Sequence, residues 1–218
     1  NHAMLSPTQS IMPRQSTEIL LASTSPRRRR LLADAGVECT TIDPGLDDGQ
    51  LTSGPVSPAQ WVSALAAMKA RAGLDRAAEL GIEPRIVIGA DTICVHRGEL
   101  IGQPTDEDHA RDIIRSFVQT THEVLTGVAL LTHSGAQREL FVERAEVSWG
   151  APGDDQIERY LASGLWRGKA GAYNLHERLD EGWPITFLGD PTTIVGLPMD
   201  ALLARLDRLE RWRDGSAA

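Results

Sequence analysis

Apolar and polar positions follow one another along this chain in blocks that predict strands and helices in turn. A short apolar run at 19–22 leads into a polar turn and then into a leucine-rich stretch with helical spacing. Residues 85–95 form a nearly continuous apolar run, typical of a strand buried on both faces. Because strands and helices alternate around one antiparallel pair, the pattern predicts an α/β protein with a mixed sheet.

The same pattern predicts the boundaries of the elements and of the domain. Residues 1–17 read as a vector remnant, Asn1-His2-Ala3, followed by a flexible lead-in, residues 18–213 as a single domain and 214–218 as a flexible tail. The predicted strands lie at 19–22, 38–42, 85–95, 123–131, 140–149 and 185–188. Helices are expected from Pro26, from Ser57-Pro58, after Thr105, at 154–163 and from Met199 to about Trp212, with a loop or short turn at 169–173.

Composition narrows the class of partner. The chain of 218 residues is 41% hydrophobic and 24% charged, with a formal net charge of −8, which argues against nucleic acid as a partner. It holds no apolar run approaching the length of a membrane span and no signal-peptide pattern, so no membrane association is expected. Cys39 and Cys94 lie in β-like stretches and are expected to be free thiols, which favours a reducing, cytoplasmic location.

The strand–helix junction near the start of the chain carries the strongest chemical signal. Ser25 suits the N-cap of the first helix and Pro26 its first position. Four consecutive arginines, residues 27–30, then lie at the positive end of the helix dipole, where negative charge is normally found. A helix start with free N–H groups, hydroxyls and guanidinium groups suits a multiply charged anion. Arg27 and Arg28 are the candidate phosphate ligands, and the last two arginines are expected to be solvated.

Asp91 is the strongest single catalytic candidate. A carboxylate within an apolar strand is costly to bury without a cation, a metal ion or hydrogen-bond donors, and nothing in the strand supplies one. Two interpretations remain open at this point: a functional acid facing a cleft, or a structural salt bridge. Asp47-Asp48 form a second acidic pair, either solvated or used to bind a metal ion. Lys69 and Lys169 are weaker candidates for binding phosphate.

Several other reaction classes lack support in the sequence. The histidines show no zinc-binding spacing, and there are no paired cysteines. A nucleophile elbow of the G-x-S-x-G type and a Walker loop are also missing. The chemistry suggested by the residues is therefore that of a small polyphosphate bound in a basic pocket.

Taken together and in order, five short motifs resemble the Maf family over residues 19–206. They are Leu21-Ala22-Ser23-Thr24-Ser25-Pro26-Arg27-Arg28, Gly89-Ala90-Asp91-Thr92, Thr126-Gly127-Val128, Lys169-Ala170-Gly171-Ala172-Tyr173 and Val195-Gly196-Leu197-Pro198. The resemblance implies an inosine triphosphatase-like architecture, with an elongated mixed sheet flanked by helices and a cleft between two lobes. It implies hydrolysis of nucleoside triphosphates to the monophosphate and pyrophosphate, dependent on Mg²⁺ or Mn²⁺, and a homodimer.

The resemblance also assigns roles to individual residues. Asp91 matches the catalytic acid and a metal ligand, and Asp48 matches a metal-associated glutamate. Arg27 and Thr92 match positions linked to substrate choice, in the branch that prefers dTTP and UTP. The residues matching the triphosphate site are Ser23, Ser25, Arg27, Arg28, Lys69 and Lys169.

Two substrate-binding positions depart from the family pattern. Gln103 replaces the usual lysine of a Gly-Lys-Pro segment, and His176 replaces a glutamine and is followed by Glu177 where glycine is common. Loss of a lysine removes a charge-assisted contact to phosphate. Two functions therefore stay open: an active pyrophosphatase, or a nucleotide-binding regulatory protein, related to septum formation, with weakened or lost catalysis.

Overall fold

The computed structural model describes residues 15–46, 51–132 and 138–213. Within these ranges seven strands form one sheet, and helices cover its faces, which confirms the predicted α/β class with a mixed sheet. The strands are β1 (Gln15–Ala22), β2 (Thr40–Ile42), β3 (Ile82–His96), β4 (Glu99–Ile101), β5 (Thr121–Thr132), β6 (Arg138–Trp149) and β7 (Ile185–Leu188). The helices are α1 (Pro26–Asp34), α2 (Pro58–Glu79), α3 (Glu107–Phe117), α4 (Asp154–Ser163), α5 (Leu175–Asp180), α6 (Pro191–Val195) and α7 (Met199–Arg213), with a 3₁₀ turn at Ala170–Ala172.

The sheet combines parallel and antiparallel pairs in the order β2-β1-β3-β5-β6-β7, with β4 paired to β3. β1 runs parallel to β2 and β3, and the remaining pairs are antiparallel. β3 begins earlier than the predicted strand and includes Pro84. Pairing with β5 starts only at Ile86, so Pro84 lies where β3 has β1 as its neighbour, and a missing N–H is tolerated there.

Helix α2 lies very close to the sheet because two glycines remove side chains beneath it. A Cβ atom added at Gly127 would lie 2.6 Å from the carbonyl oxygen of Val62, and one at Gly89 would clash with the backbone of Ala66 and Ala70. Ser57 caps the helix in a capping box with Gln60. Close packing of α2 brings its inward face against β3 and β5.

The apolar core forms separate clusters toward the two ends of the sheet. One cluster is aromatic-rich and joins α3, α4 and α5 to the ends of β5 and β6, around Phe117, Trp149 and Tyr160. The others pack α1, α2 and α7 on β1, β3 and β5, around Leu21 and Val87. No helix in the described ranges is long and apolar enough to cross a bilayer.

Two short helices were not expected from the sequence. Helix α5 has six residues and α6 has five, which is too short for an apolar periodicity to show. Local capping signals do mark both. The Asn174 side chain accepts from the N–H of Glu177, and Asp190 accepts from the N–H of Thr192 with a proline at the first position of the helix.

Candidate functional site

The start of α1 is built as the sequence predicts. Ser25 is the N-cap, its side chain accepts from the N–H of Arg28 at 3.4 Å, and Pro26 is the first helical residue. The Ser23 hydroxyl oxygen accepts from the N–H of Ser25 at 3.2 Å. These bonds hold the β1–α1 turn so that both serines and Arg27 face the same cleft.

Arg27 and Arg28 have different surroundings. Arg27 is exposed at the edge of the cleft, whereas Arg28 is half-buried and its guanidinium group donates hydrogen bonds within the protein. Its Nε donates to the carbonyl oxygen of Gly196 at 2.7 Å, Nη1 to Ser23 Oγ at 3.3 Å and Nη2 to Thr92 Oγ1 at 3.1 Å. Arg28 therefore ties α1 to β3 and to the end of α6, which fixes the position of its guanidinium group.

A directed chain of hydrogen bonds supports Arg28 from below. Thr126 Oγ1 donates its hydrogen to the carbonyl oxygen of Thr193 at 2.7 Å, so it can only accept from Thr92 Oγ1, 2.8 Å away. The Thr92 hydroxyl is thereby oriented with its lone pairs available to Arg28. Thr126 and Thr193 are both fully buried. Arg28 therefore donates to Thr92, Thr92 donates to Thr126, and Thr126 donates to the backbone carbonyl oxygen of Thr193.

Asp91 and Lys69 form an ion pair inside the cleft. Lys69 Nζ lies 2.5 Å from Asp91 Oδ1, and the two side chains are only 14% and 11% exposed. Asp91 thus receives from α2 the positive charge that its own strand lacks. Because the pair also lines the open cleft, the contact satisfies the structural interpretation without removing either group from reach of a ligand.

Lys169 forms a second lysine–carboxylate pair on the opposite wall. Its Nζ lies 2.6 Å from Glu177 Oε2, and the lysine side chain is 11% exposed. The N–H of Gly171 donates to the carbonyl oxygen of Gly102 at 3.1 Å, which joins residues 169–173, here called the lysine loop, to the loop that carries Gln103. Gln103 and Lys169 therefore lie on one side of the cleft, facing α1.

The structure brings most of the predicted site residues to one cleft of about 460 Å³. Its walls come from the β1–α1 turn, α2, β3 and the lysine loop. The predicted residues that line it are Ser23, Ser25, Arg27, Arg28, Lys69, Asp91, Thr92, Gln103 and Lys169.

Two predicted residues are not placed in this cleft. His176 is exposed on α5 and is not among the lining residues. Asp48, together with Asp47, lies outside the described residues. The structure instead places Asp43, Tyr173 and Asn174 at the cleft, where the sequence analysis assigned no site role. For Asn174 the sequence did offer a clue, because asparagine is a common N-cap. A helix that starts there places residue 174 directly after the lysine loop.

Buried groups behind the cleft have shifted pKa values. Burial raises the pKa of the Cys94 thiol to about 12, so it stays protonated at neutral pH. Burial also raises the pKa of Tyr173 well above its usual value, and its hydroxyl lies 2.8 Å from His122 Nε2. The pKa of His122 falls to about 3, mainly through burial and secondarily through His96. Cys94 and Tyr173, which line the cleft, therefore carry no charge at neutral pH.

The donor set of the cleft fits a hard divalent cation shared with a ligand. Within the described ranges no cluster of three metal-ligating side chains occurs, but Asp91 and Asp43 both line the cleft. Mg²⁺ is usually bound by one or two carboxylates together with substrate phosphates. In this cleft, carboxylate oxygens lie beside arginine and lysine side chains that suit phosphate, so both kinds of Mg²⁺ ligand can meet there.

The fold and the cleft define an α/β protein with a cation-lined cleft, and comparisons with known proteins identify its family. The family model for Maf-like protein matches residues 18–209. The dTTP/UTP pyrophosphatase of Pelotomaculum thermopropionicum is 36% identical over 195 residues, which cover 88% of this chain and 96% of the relative. That of Salinibacter ruber is 37% identical over 193 residues, 88% of this chain and 90% of the relative.

Among solved structures, the Ham1 protein of Staphylococcus aureus matches 61% of this chain and 72% of its own, with a TM-score of 0.41 and 11% identity. The sequence relatives and the family model suffice for the assignment. This chain belongs to the Maf-like family, which confirms the resemblance predicted from its motifs.

Proposed function

We propose that this chain hydrolyses nucleoside triphosphates, with dTTP and UTP as preferred substrates, to the nucleoside monophosphate and pyrophosphate. The observation that carries the proposal is the meeting of Arg27, Lys69, Lys169 and Asp91 in one cleft. The relatives named above are dTTP/UTP pyrophosphatases at 36–37% identity, which supports both the reaction and the substrates.

In this proposal the cationic walls bind the triphosphate. Arg27 is exposed at the rim, and the half-buried Arg28 is oriented by Thr92, so the start of α1 presents guanidinium donors to the phosphates. Lys69 and Lys169 approach from the other walls. Their positive charges stabilise the charge that develops on the departing pyrophosphate.

Asp91 orients the attacking water and accepts its proton. The water oxygen bonds to the α-phosphorus, the bridging bond between the α- and β-phosphates breaks, and pyrophosphate leaves. Lys69 holds the Asp91 carboxylate in place through its 2.5 Å contact. A Mg²⁺ or Mn²⁺ ion, bound by Asp91 with Asp48 and phosphate oxygens, would neutralise charge and activate water.

The remaining properties are proposed on more general grounds. Cys39 and Cys94 are free thiols, which supports a reducing compartment such as the cytoplasm. The acidic net charge of −8 supports a small-molecule substrate over nucleic acid. A single domain over 18–213 and a homodimer stay predictions, which limited proteolysis and light scattering test.

The direct test is pyrophosphate release from a nucleotide panel with Mg²⁺ and with Mn²⁺, for the parent and for Asp91→Asn. The parent should favour dTTP and UTP, and Asp91→Asn should lose at least about 100-fold in kcat if Asp91 is the general base. Asp75→Asn, at an exposed aspartate of α2, is the matched control. Equal rates in the parent and Asp91→Asn would remove Asp91 from the reaction.

A substitution at Gln103 distinguishes the two functions that the sequence leaves open, a weakened enzyme and a nucleotide-binding protein that has lost catalysis. Gln103 lines the cleft but carries no charge for the phosphates. If the enzyme is merely weakened, Gln103→Lys should raise turnover. Tight triphosphate binding without turnover in both proteins, at saturating metal, would favour the regulatory function.

A further inference from the structure

Glu177 is an acidic residue outside the cleft lining that contacts Lys169, one of the cations of the cleft. Its carboxylate contacts Lys169 Nζ at 2.6 Å, and its own side chain is 40% exposed. Helix α5 holds it there, since the N–H of Glu177 donates to Asn174 Oδ1 at 3.3 Å at the helix start. The position of Glu177 beside Lys169 is therefore set by the start of helix α5.

Both lysines of the cleft are thus bound to carboxylates, but the two carboxylates differ. Asp91 is 11% exposed and lines the cleft, whereas Glu177 is not among the lining residues. A lysine has three N–H donors, so Lys169 can bind a phosphate oxygen while it keeps Glu177. Each phosphate bound at Lys169 then lies close to the negative charge of Glu177, and that repulsion opposes binding.

We infer that Glu177 determines the affinity of the site for phosphate: it offsets the charge of Lys169, weakens binding of the triphosphate and speeds release of pyrophosphate. The inference rests on the proposed function for its substrate. It assigns to Glu177 an electrostatic role in binding and no role in the chemical step.

The test is titration calorimetry with pyrophosphate in the presence of Mg²⁺, on the parent and Glu177→Gln. We expect the Kd for pyrophosphate to fall about fivefold in Glu177→Gln, the scale of a partly exposed ion pair. Asp180→Asn removes the same charge from an exposed position on the same helix and should keep the parental Kd. Glu177→Asp retains the charge on a shorter side chain and should also stay closer to the parent.

Kinetics give a second readout. Glu177→Gln should lower the KM for dTTP without raising kcat, and pyrophosphate should inhibit it more strongly as product. A residue that only positioned Lys169 would give the opposite result, a higher KM and weaker inhibition. Such a result, an unchanged Kd, or no pyrophosphate binding by any of the proteins would overturn the inference.

The two proposals fail in different ways. If no variant hydrolyses any nucleotide but Glu177→Gln binds pyrophosphate more tightly, the proposed reaction is wrong and the role of Glu177 stands. If the parent turns over dTTP and Glu177→Gln binds pyrophosphate as the parent does, the reaction stands and the role of Glu177 is wrong.

Discussion

Lys69 Nζ on α2 and Asp91 Oδ1 on β3 are 2.5 Å apart, although the two residues are 22 positions apart in sequence. The pair is about nine-tenths buried, so each charge relies on the other for stabilisation. It also joins α2 to the centre of β3, beside the start of α1. The carboxylate proposed to act in catalysis and the lysine proposed to bind phosphate therefore also connect α2 to β3.

Lys69→Met should destabilise the protein because it leaves Asp91 largely buried without its cation. We expect a loss of about 2–4 kcal/mol in the free energy of unfolding, measured by urea denaturation. The double variant Lys69→Met/Asp91→Asn removes both charges and should recover most of that loss. If the double variant is as unstable as the single one, packing of the Lys69 stem and not the ion pair is what matters.

The sequence predicts features that depend on neighbouring residues and misses those that depend on distant ones. Ser25 and Pro26 are predicted correctly because a cap and a helix start are local. The partner of Asp91 could not be read, since it depends on how closely α2 packs on β3. The exposed position of His176, outside the cleft lining, could not be predicted either. It follows a turn in which Gly171 and Ala172 both have positive φ, and α5 starts directly after it.

Gly127→Ala should disturb both stability and the site. Gly127 lies opposite Asp91 in the β3–β5 register, and an added Cβ would lie 2.6 Å from the carbonyl oxygen of Val62. Helix α2 would have to move outward and carry Lys69 away from Asp91. We expect a loss of about 1–3 kcal/mol in unfolding free energy, together with lower kcat.

The matched control for Gly127→Ala is Gly102→Ala. A Cβ at Gly102 meets nothing within 4 Å and its φ is not positive, so this variant should keep parental stability within about 1 kcal/mol. Parental stability and activity in Gly127→Ala would show that α2 does not need this close approach.

Thr126→Val should weaken substrate binding through Arg28, which Thr126 does not touch. The change removes the acceptor of the Thr92 hydroxyl and leaves the Thr193 carbonyl without its donor. We expect KM for dTTP to rise about 3- to 10-fold and stability to fall by about 1–3 kcal/mol. Thr126→Ser keeps the hydroxyl and should restore KM, which separates the hydrogen bond from packing.

Thr193→Val is the control for Thr126→Val, because Thr193 carries the carbonyl oxygen that accepts the last of these hydrogen bonds. The Thr193 hydroxyl is buried and has no hydrogen-bond partner among the described residues, while its backbone carbonyl serves Thr126. Replacing that hydroxyl by a methyl group should leave KM unchanged and raise stability by about 1 kcal/mol. A rise in KM equal to that of Thr126→Val would mean that the two positions act through packing.

His122 should make the folded protein sensitive to mild acid. Its folded pKa of about 3 lies below the ordinary 6.5, because burial beside Phe117 and Tyr173 penalises the charged ring. Between these values the unfolded chain binds a proton that the folded chain does not. The contribution of neutral, buried His122 to the free energy of unfolding is therefore fully present above pH 6.5. It is lost as the pH falls toward 3, and the loss is about 2 kcal/mol at pH 5.

Unfolding free energies between pH 5 and 7.5 test the role of His122. His122→Gln does not titrate in this range and keeps a polar group for Tyr173, so its stability should vary less with pH than that of the parent. His109→Gln, at an exposed histidine of α3, should keep the parental slope. The pKa of buried His96 is also lowered, by burial and then by Arg97, so a residual slope in His122→Gln is expected. If His122→Gln retains the full slope, the acid sensitivity arises elsewhere in the molecule.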